Sequence, residues 1–334
     1  MVTIKDIAKA AGVSPSTVSR ALNDSPLIRE STKEKIKRLA AELGYERNEL
    51  ARSLVKGKSR ALGLIVPDIT NPFFAEIAKG VEEVAQARGY GVILCDTGDD
   101  PKKERDYGLL LRRKRVDGQI ITSVSLEDPF LLELEREKIP FVLVSRISQT
   151  VDAPYVIVND RLGAQLAVEH LISLGHTKIA CISGPKGTEP GHVRAEAYEE
   201  VLAAHGLRVP RSWVKHTEFT WEGGERAALD LLGRRQRPTA IFAANDLIAL
   251  GVLVAAHKLG TAVPRELSVV GFDDIAYASL PLIELTTVAQ PTYRMGYLAA
   301  EWLIDVLEGR RRKRLKKVLK PRLVVRKTTA PPPP

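Results

Sequence analysis

The sequence has 334 residues, 44% of them apolar and 27% charged, the balance of a globular chain long enough for two or three cores. No apolar run approaches the roughly 20 residues that cross a bilayer, no signal-peptide pattern opens the chain, and Cys95 and Cys181 lack metal-ligand spacing, so a membrane span, a disulfide framework and a zinc site are set aside and a cytoplasmic location is expected. The net charge of +9 is uneven: residues 1–60 carry 13 Lys and Arg against 7 Asp and Glu, residues 310–334 carry 11 against none, and the body between them is acidic, the pattern of a basic nucleic-acid-binding head on a separate domain.

The stretch TIKDIAKAAGVSPSTVSRALN, residues 3–23, reads as a helix-turn-helix. Thr3 caps a first helix with Asp6 in its first turn, and Ile4, Ile7, Ala8 and Ala11 share one face. Gly12 supplies the turn, Ser14 caps a second helix with Pro15 at its first position, and Val18, Ala21 and Leu22 face inward. The outward face of that second helix enters the major groove in this motif. Base reading is assigned to Pro15, Ser16 and above all Arg20, whose fork matches the two acceptors of guanine. Phosphate contacts are assigned to Thr3, Ser14, Thr17, Ser19 and Asn23. A third helix is expected to open at Ser31 with Glu34 as its capping-box partner, to place Ile36, Leu39, Ala40 and Leu43 inward and Lys33, Lys35, Lys37 and Arg38 mostly outward, and to end at Gly44.

These residues closely resemble the amino-terminal signature of the lactose-repressor and galactose-repressor family of bacterial transcription regulators. The resemblance implies a head over 1–47, a hinge helix over 48–60, and a two-lobed effector and dimerisation domain over 61–327, similar to periplasmic sugar-binding proteins. A Pro-rich tail over 328–334 follows. Within Ala51-Arg52-Ser53-Leu54 it implies that Ala51 and Leu54 meet the minor groove, Leu54 as a wedge that bends the duplex; a plain linker is the alternative. Arg47 stands where the family usually has proline, which leaves the start of the hinge open.

From Ala61, apolar strand-like runs alternate with helical patterns: 62–66, 91–95, 119–122, 141–144, then after 156–158 a second series, 179–183, 239–243 and 269–272. Buried strands separated by helices imply parallel sheets covered on both faces, and two such blocks in tandem imply two lobes with a ligand cleft at the carboxyl ends of the strands. By the resemblance, Phe73 and Phe74 pack on one ligand face, Arg146, Arg194 and Asp273 hydrogen-bond to it, Asn245 and Gln290 complete the polar shell, and Phe219 and Trp221 line the same cleft. Trp221 at a helix start fits either a stack on a pyranose or plain packing. Asp160 and Asp246 fit either helix caps or ligand groups, and Asn71 before Pro72 reads as a cap. Arg146 after Ser145 resembles sugar-responsive members more than purine-responsive ones, so a sugar is expected, with a purine or other metabolite as the alternative.

The run Arg310 to Lys320 reads as solvated surface, with a polyanion contact as the lesser reading. No heptad follows Lys327, so a homodimer on a palindromic operator is expected. Catalytic, cofactor and metal sites are not expected, because no phosphate loop, nucleophile elbow or zinc-protease motif is present and the six histidines are scattered. A stand-alone sugar-binding protein is the weaker rival, since a DNA-reading head would serve no purpose outside a cell.

Overall fold

The computed structural model describes residues 2–45, 59–311 and 313–334. The hinge positions Ala51 and Leu54 lie outside the described residues. Two compact units divide at Ser59 and Arg60.

In the first unit, α1 (Ile4–Ala11), α2 (Pro15–Leu22) and α3 (Glu30–Glu42) close over Ile7, Ala8, Ala11, Val18, Ala21, Leu22, Ile36 and Ala40. Gly12 sits at φ +69 and returns its N–H to the Ala8 carbonyl, so the chain reverses within a single residue that needs no side chain. The Ser14 hydroxyl accepts from the Thr17 amide, and Pro15 occupies the first helical position. The third helix departs from expectation. It begins at Glu30, its N-cap residue Arg29 makes no side-chain cap, and Lys33 is buried rather than solvated, its ammonium 2.9 Å from Glu30. An ion pair one turn apart lets the lysine stem pack inward.

The second unit holds two six-stranded sheets. Its elements run β1 (Ala61–Val66), α4 (Pro72–Ala87), β2 (Gly91–Asp96), α5 (Pro101–Arg113), β3 (Gly118–Ile121), α6 (Pro129–Arg136), β4 (Phe141–Val144), β5 (Tyr155–Val158), α7 (Asp160–Ser173), β6 (Ile179–Ser183) and α8 (Glu189–Ala204). They continue through β7 (Val214–His216), α9 (Trp221–Leu232), β8 (Ala240–Ala243), α10 (Asp246–Lys258), β9 (Ser268–Asp273), β10 (Thr286–Ala289), α11 (Thr292–Leu307), β11 (Lys316–Leu319) and β12 (Arg322–Val324).

The first sheet has the order β11-β5-β4-β3-β1-β2 and is parallel throughout. The second, β12-β10-β9-β8-β6-β7, is parallel except for the antiparallel pair β10-β12. The lobes are interleaved rather than in tandem. The chain passes from the first to the second after β5, returns after β10 to lay α11 on α4, and leaves again between β11 and β12. Each lobe interlocks one helix pair through glycines. A Cβ at Gly80 would lie 2.1 Å from the Tyr293 carbonyl oxygen, and one at Gly251 would lie 2.1 Å from that of Trp221.

Apolar layers cover both faces of each sheet, Leu64, Ile77 and Leu303 against Ile65, Leu111 and Phe130 in the first lobe, Ile182, Ile241 and Ile248 against Tyr198, Phe242 and Phe272 in the second. The edge strand β2 is the exception to the expected burial, since Ile93 and Leu94 both stand exposed. Two other expectations change. The basic run also contributes structure, because its residues 316–319 form the edge strand β11, paired in parallel with β5, while Lys316, Lys317 and Val318 stay exposed. The carboxyl-terminal residues are not a separate tail: Val269 donates to the Thr328 carbonyl at 2.8 Å and the Ala330 amide donates to the Ser268 hydroxyl at 3.0 Å, fixing this segment to the second lobe.

Candidate functional site: a DNA-reading helix and a ligand cleft

On the head, Pro15, Ser16 and Arg20 are exposed on the outer side of α2, while Thr17 and Ser19 are half-buried beside them. Among the described residues no carboxylate pairs with Arg20, so its five donors face solvent. The small hydroxyl side chains are partly committed to holding the helix. Ser14 Oγ lies 2.8 Å from Ser16 Oγ and 2.9 Å from Thr17 Oγ1, the Asn23 amide donates to the Ser19 carbonyl, and the Thr3 hydroxyl donates to Asp6. The Asp6 carboxyl is held below its ordinary value by these bonds from the Thr3 side chain and backbone. The result is a short, capped helix that presents one exposed cation, Arg20, beside small polar side chains.

In the second unit a cavity of about 310 Å3 lies between the lobes, at the carboxyl ends of both sheets. Phe73, Phe74 and Arg146 line it from the first lobe, and Arg194, Phe219, Asn245, Asp273 and Gln290 from the second. Trp221 does not line the cavity; it begins α9 and is 45% exposed. Sequence reading missed Asp68, Asp99 and Glu218, which also line it. Asp99 follows β2 as the other wall residues follow their strands, and that position was the signal available.

Three wall residues, Asp99, Ser145 and Asp273, have positive φ, at 59°, 69° and 124°. A non-glycine backbone in that region is costly and persists where packing fixes it. Here it turns side chains toward the cavity at the strand ends. Phe73 and Phe74 meet edge to face with centroids 5.0 Å apart. Asn71 caps α4 through the Phe73 amide.

The arginines are already engaged. Arg146 donates to Asp99 at 2.7 and 3.4 Å and to the Ser123 carbonyl at 3.1 Å, and its guanidinium lies 5.8 Å from the Phe219 ring of the opposite lobe. Arg194 donates through Nε to Asp160 at 2.6 Å, donates to the Ala244 carbonyl, and stacks 3.7 Å above Phe272. Asp160 therefore serves neither as cap nor as ligand group. Asn159 caps α7, Asn245 caps α10, and Asp246 accepts from Thr287 Oγ1 and the Ile275 amide instead.

Burial governs the titration of these acids. It pushes Asp273 up to about 7, against the pull of Arg194 and the hydrogen bond from Gln290. It raises Asp160, which Arg194 pulls back down, and together with Asp160 it pushes Glu189 up to about 8. Behind the other wall, burial and Asp128 push Glu104 up to about 9. The lobes also meet directly, the Leu126 amide donating to the Gly187 carbonyl across the cleft at 2.9 Å.

The profile of the lacI family of bacterial regulatory proteins matches residues 3–48, and that of the periplasmic binding protein-like domain matches residues 168–329. The regulator DegA of Bacillus subtilis is 39% identical over 98% of both chains. The chain belongs to the lacI family. The ribose operon repressor of Halalkalibacterium halodurans is 38% identical over 98% of this chain and 97% of its own. A lac repressor dimer solved with operator and an anti-inducer superposes with a TM-score of 0.87 at 27% identity, covering 98% of this chain and 99% of that one. The protein is a DNA-binding transcriptional regulator with a small-molecule effector domain.

Proposed function

We propose that the protein is a repressor that binds a palindromic operator as a homodimer and loses operator affinity when a sugar closes the cleft. It works in the cytoplasm and as a regulator rather than a catalyst. The observation that carries the reading is the cleft itself, aromatic faces on both lobes with hydrogen-bonding groups between them, the combination suited to a ring with apolar faces and polar edges.

Two features support the dimer. Ile69 and Leu94 line one groove with Ala78 and Tyr293 beside the uncovered edge strand β2, an apolar face of the kind that self-association covers. One three-helix head also reads too few base pairs for tight binding, whereas two heads read two half-sites.

Operator footprinting tests the reading helix. Arg20→Ala is expected to weaken specific binding by about 1 to 3 kcal/mol and to relax preference at one base pair per half-site. Unchanged base preference with an affinity loss under threefold would remove α2 from that role.

A further inference from the structure

Building on the sugar reading, we propose that the effector is a neutral, single-ring sugar, and that the cleft rejects phosphorylated and otherwise anionic sugars. The argument rests on how the two cleft cations are spent. A phosphate ester brings about two negative charges, which a closed cleft must match with unspent cations. Among the described residues the cations lining this cleft are Arg146 and Arg194, and each is already paired with its own carboxylate, Asp99 and Asp160.

Three of the five N–H groups of Arg146 are committed, two to Asp99 and one to the Ser123 carbonyl. On Arg194 two N–H groups are committed, Nε to Asp160 and Nη1 to the Ala244 carbonyl, and Nη2 lies 2.5 Å from the same Asp160 oxygen. What remains on each guanidinium are N–H donors without net charge behind them. Such donors suit hydroxyl oxygens.

The acidic side of the balance points the same way. Asp68 and Asp273 also line the cavity: Asp68 accepts from Thr70 at 2.6 Å, and Asp273 accepts from the Gln290 amide at 2.7 Å and shares Arg194 with Asp160 at 3.9 Å. Asp273 keeps acceptor capacity for ligand hydroxyls, which donate where a phosphate cannot. An anion entering here finds no cation that lacks a carboxylate partner. The cavity of about 310 Å3 stands at the low end of ligand pockets, about 300 to 1,000 Å3, which favours one ring over two.

The test is calorimetry on the full chain with D-ribose, D-xylose, D-glucose and D-galactose, each beside its terminal phosphate ester, and with adenine and guanine. The expected result is a neutral sugar that binds at least 100-fold more tightly than its ester. An ester that binds as tightly as its parent, or more tightly, overturns the charge assignment and leaves the sugar reading standing. Binding by a nucleobase and by no sugar of either kind overturns the sugar reading, and the neutral-sugar assignment falls with it.

One variant makes the reason itself testable. Asp99→Asn keeps the shape of a half-exposed loop residue and removes the charge that neutralises Arg146. It is expected to gain at least tenfold in affinity for the esters while losing affinity for the neutral sugar. If wild type and variant bind inorganic phosphate and the esters equally, the Asp99 pairing does not exclude anions and the proposal fails.

Discussion

The two walls of the cleft solve one problem, how to hold a guanidinium at a ligand site, in different ways. Arg146 pairs with Asp99, whose side chain is 37% exposed on a loop, so water can replace that carboxylate. Arg194 pairs with Asp160, whose side chain is 1% exposed, and it also lies on Phe272. Asp160 sits where the chain first crosses between lobes, beside Glu189 at the start of α8. The second wall therefore holds its arginine on a fully buried partner, and the first holds its arginine on a partner that water reaches, with the guanidinium over Phe219 of the other lobe.

The comparison breaks most plainly at Asp160. Asp160→Ala leaves a buried guanidinium without its partner and is expected to cost about 3 to 5 kcal/mol in urea denaturation of the effector unit. A loss below 1 kcal/mol would mean that the second wall is no more fixed than the first.

Next come the buried acids behind each wall. Glu104 and Glu189 are raised to about 9 and about 8 in the folded chain, above the ordinary 4.5. The folded state holds the extra proton, so their stabilising contribution is complete below pH 4.5 and is lost as pH rises through the folded values. Relative to Glu189→Gln, the wild type should lose up to about 1.4 kcal/mol per pH unit between pH 5 and 8. Glu104→Gln should show the same sign with the window extended toward pH 9. Parallel stability curves for variant and wild type would return both acids to ordinary titration.

The smallest effect is expected at Asp99. Its replacement by alanine leaves Arg146, itself 5% exposed, with the Ser123 carbonyl and cleft water, and should cost less stability than Asp160→Ala because the lost carboxylate was 37% exposed, while the ligand response changes. A cost as large as that of Asp160→Ala would erase the distinction between the walls.

Much of this arrangement was legible in the residues, for physical reasons that also mark where reading failed. Strands buried in the sheet interiors, such as 62–66 and 179–183, are unbroken apolar runs, and their ends located the loops that carry Phe73, Arg146 and Asp273. The strands β7, β11 and β12 lie at sheet edges and read as VKH, KKVL and RLV, whose charges obscure the pattern while protecting the edges. In β10, Thr286 and Thr287 are fully buried because their hydroxyls bond to Thr329 and Asp246, a satisfaction invisible in a one-dimensional string. Arg194 lies within a helix, and only resemblance marked it; its partner Asp160 looked like a cap because it stands one residue after the true cap, Asn159.

The central claim is that occupancy of the cleft and reading of DNA by the head are two ends of one equilibrium. The direct measurement is a calorimetric titration of the tightest-binding neutral sugar into the full-length protein, with and without saturating operator duplex. Linkage requires that operator change the sugar's dissociation constant by the factor by which sugar changes operator affinity, commonly about 5- to 150-fold. The account predicts weaker sugar binding in the operator complex, by the factor that sugar takes from operator affinity. The same dissociation constant in both titrations would contradict it.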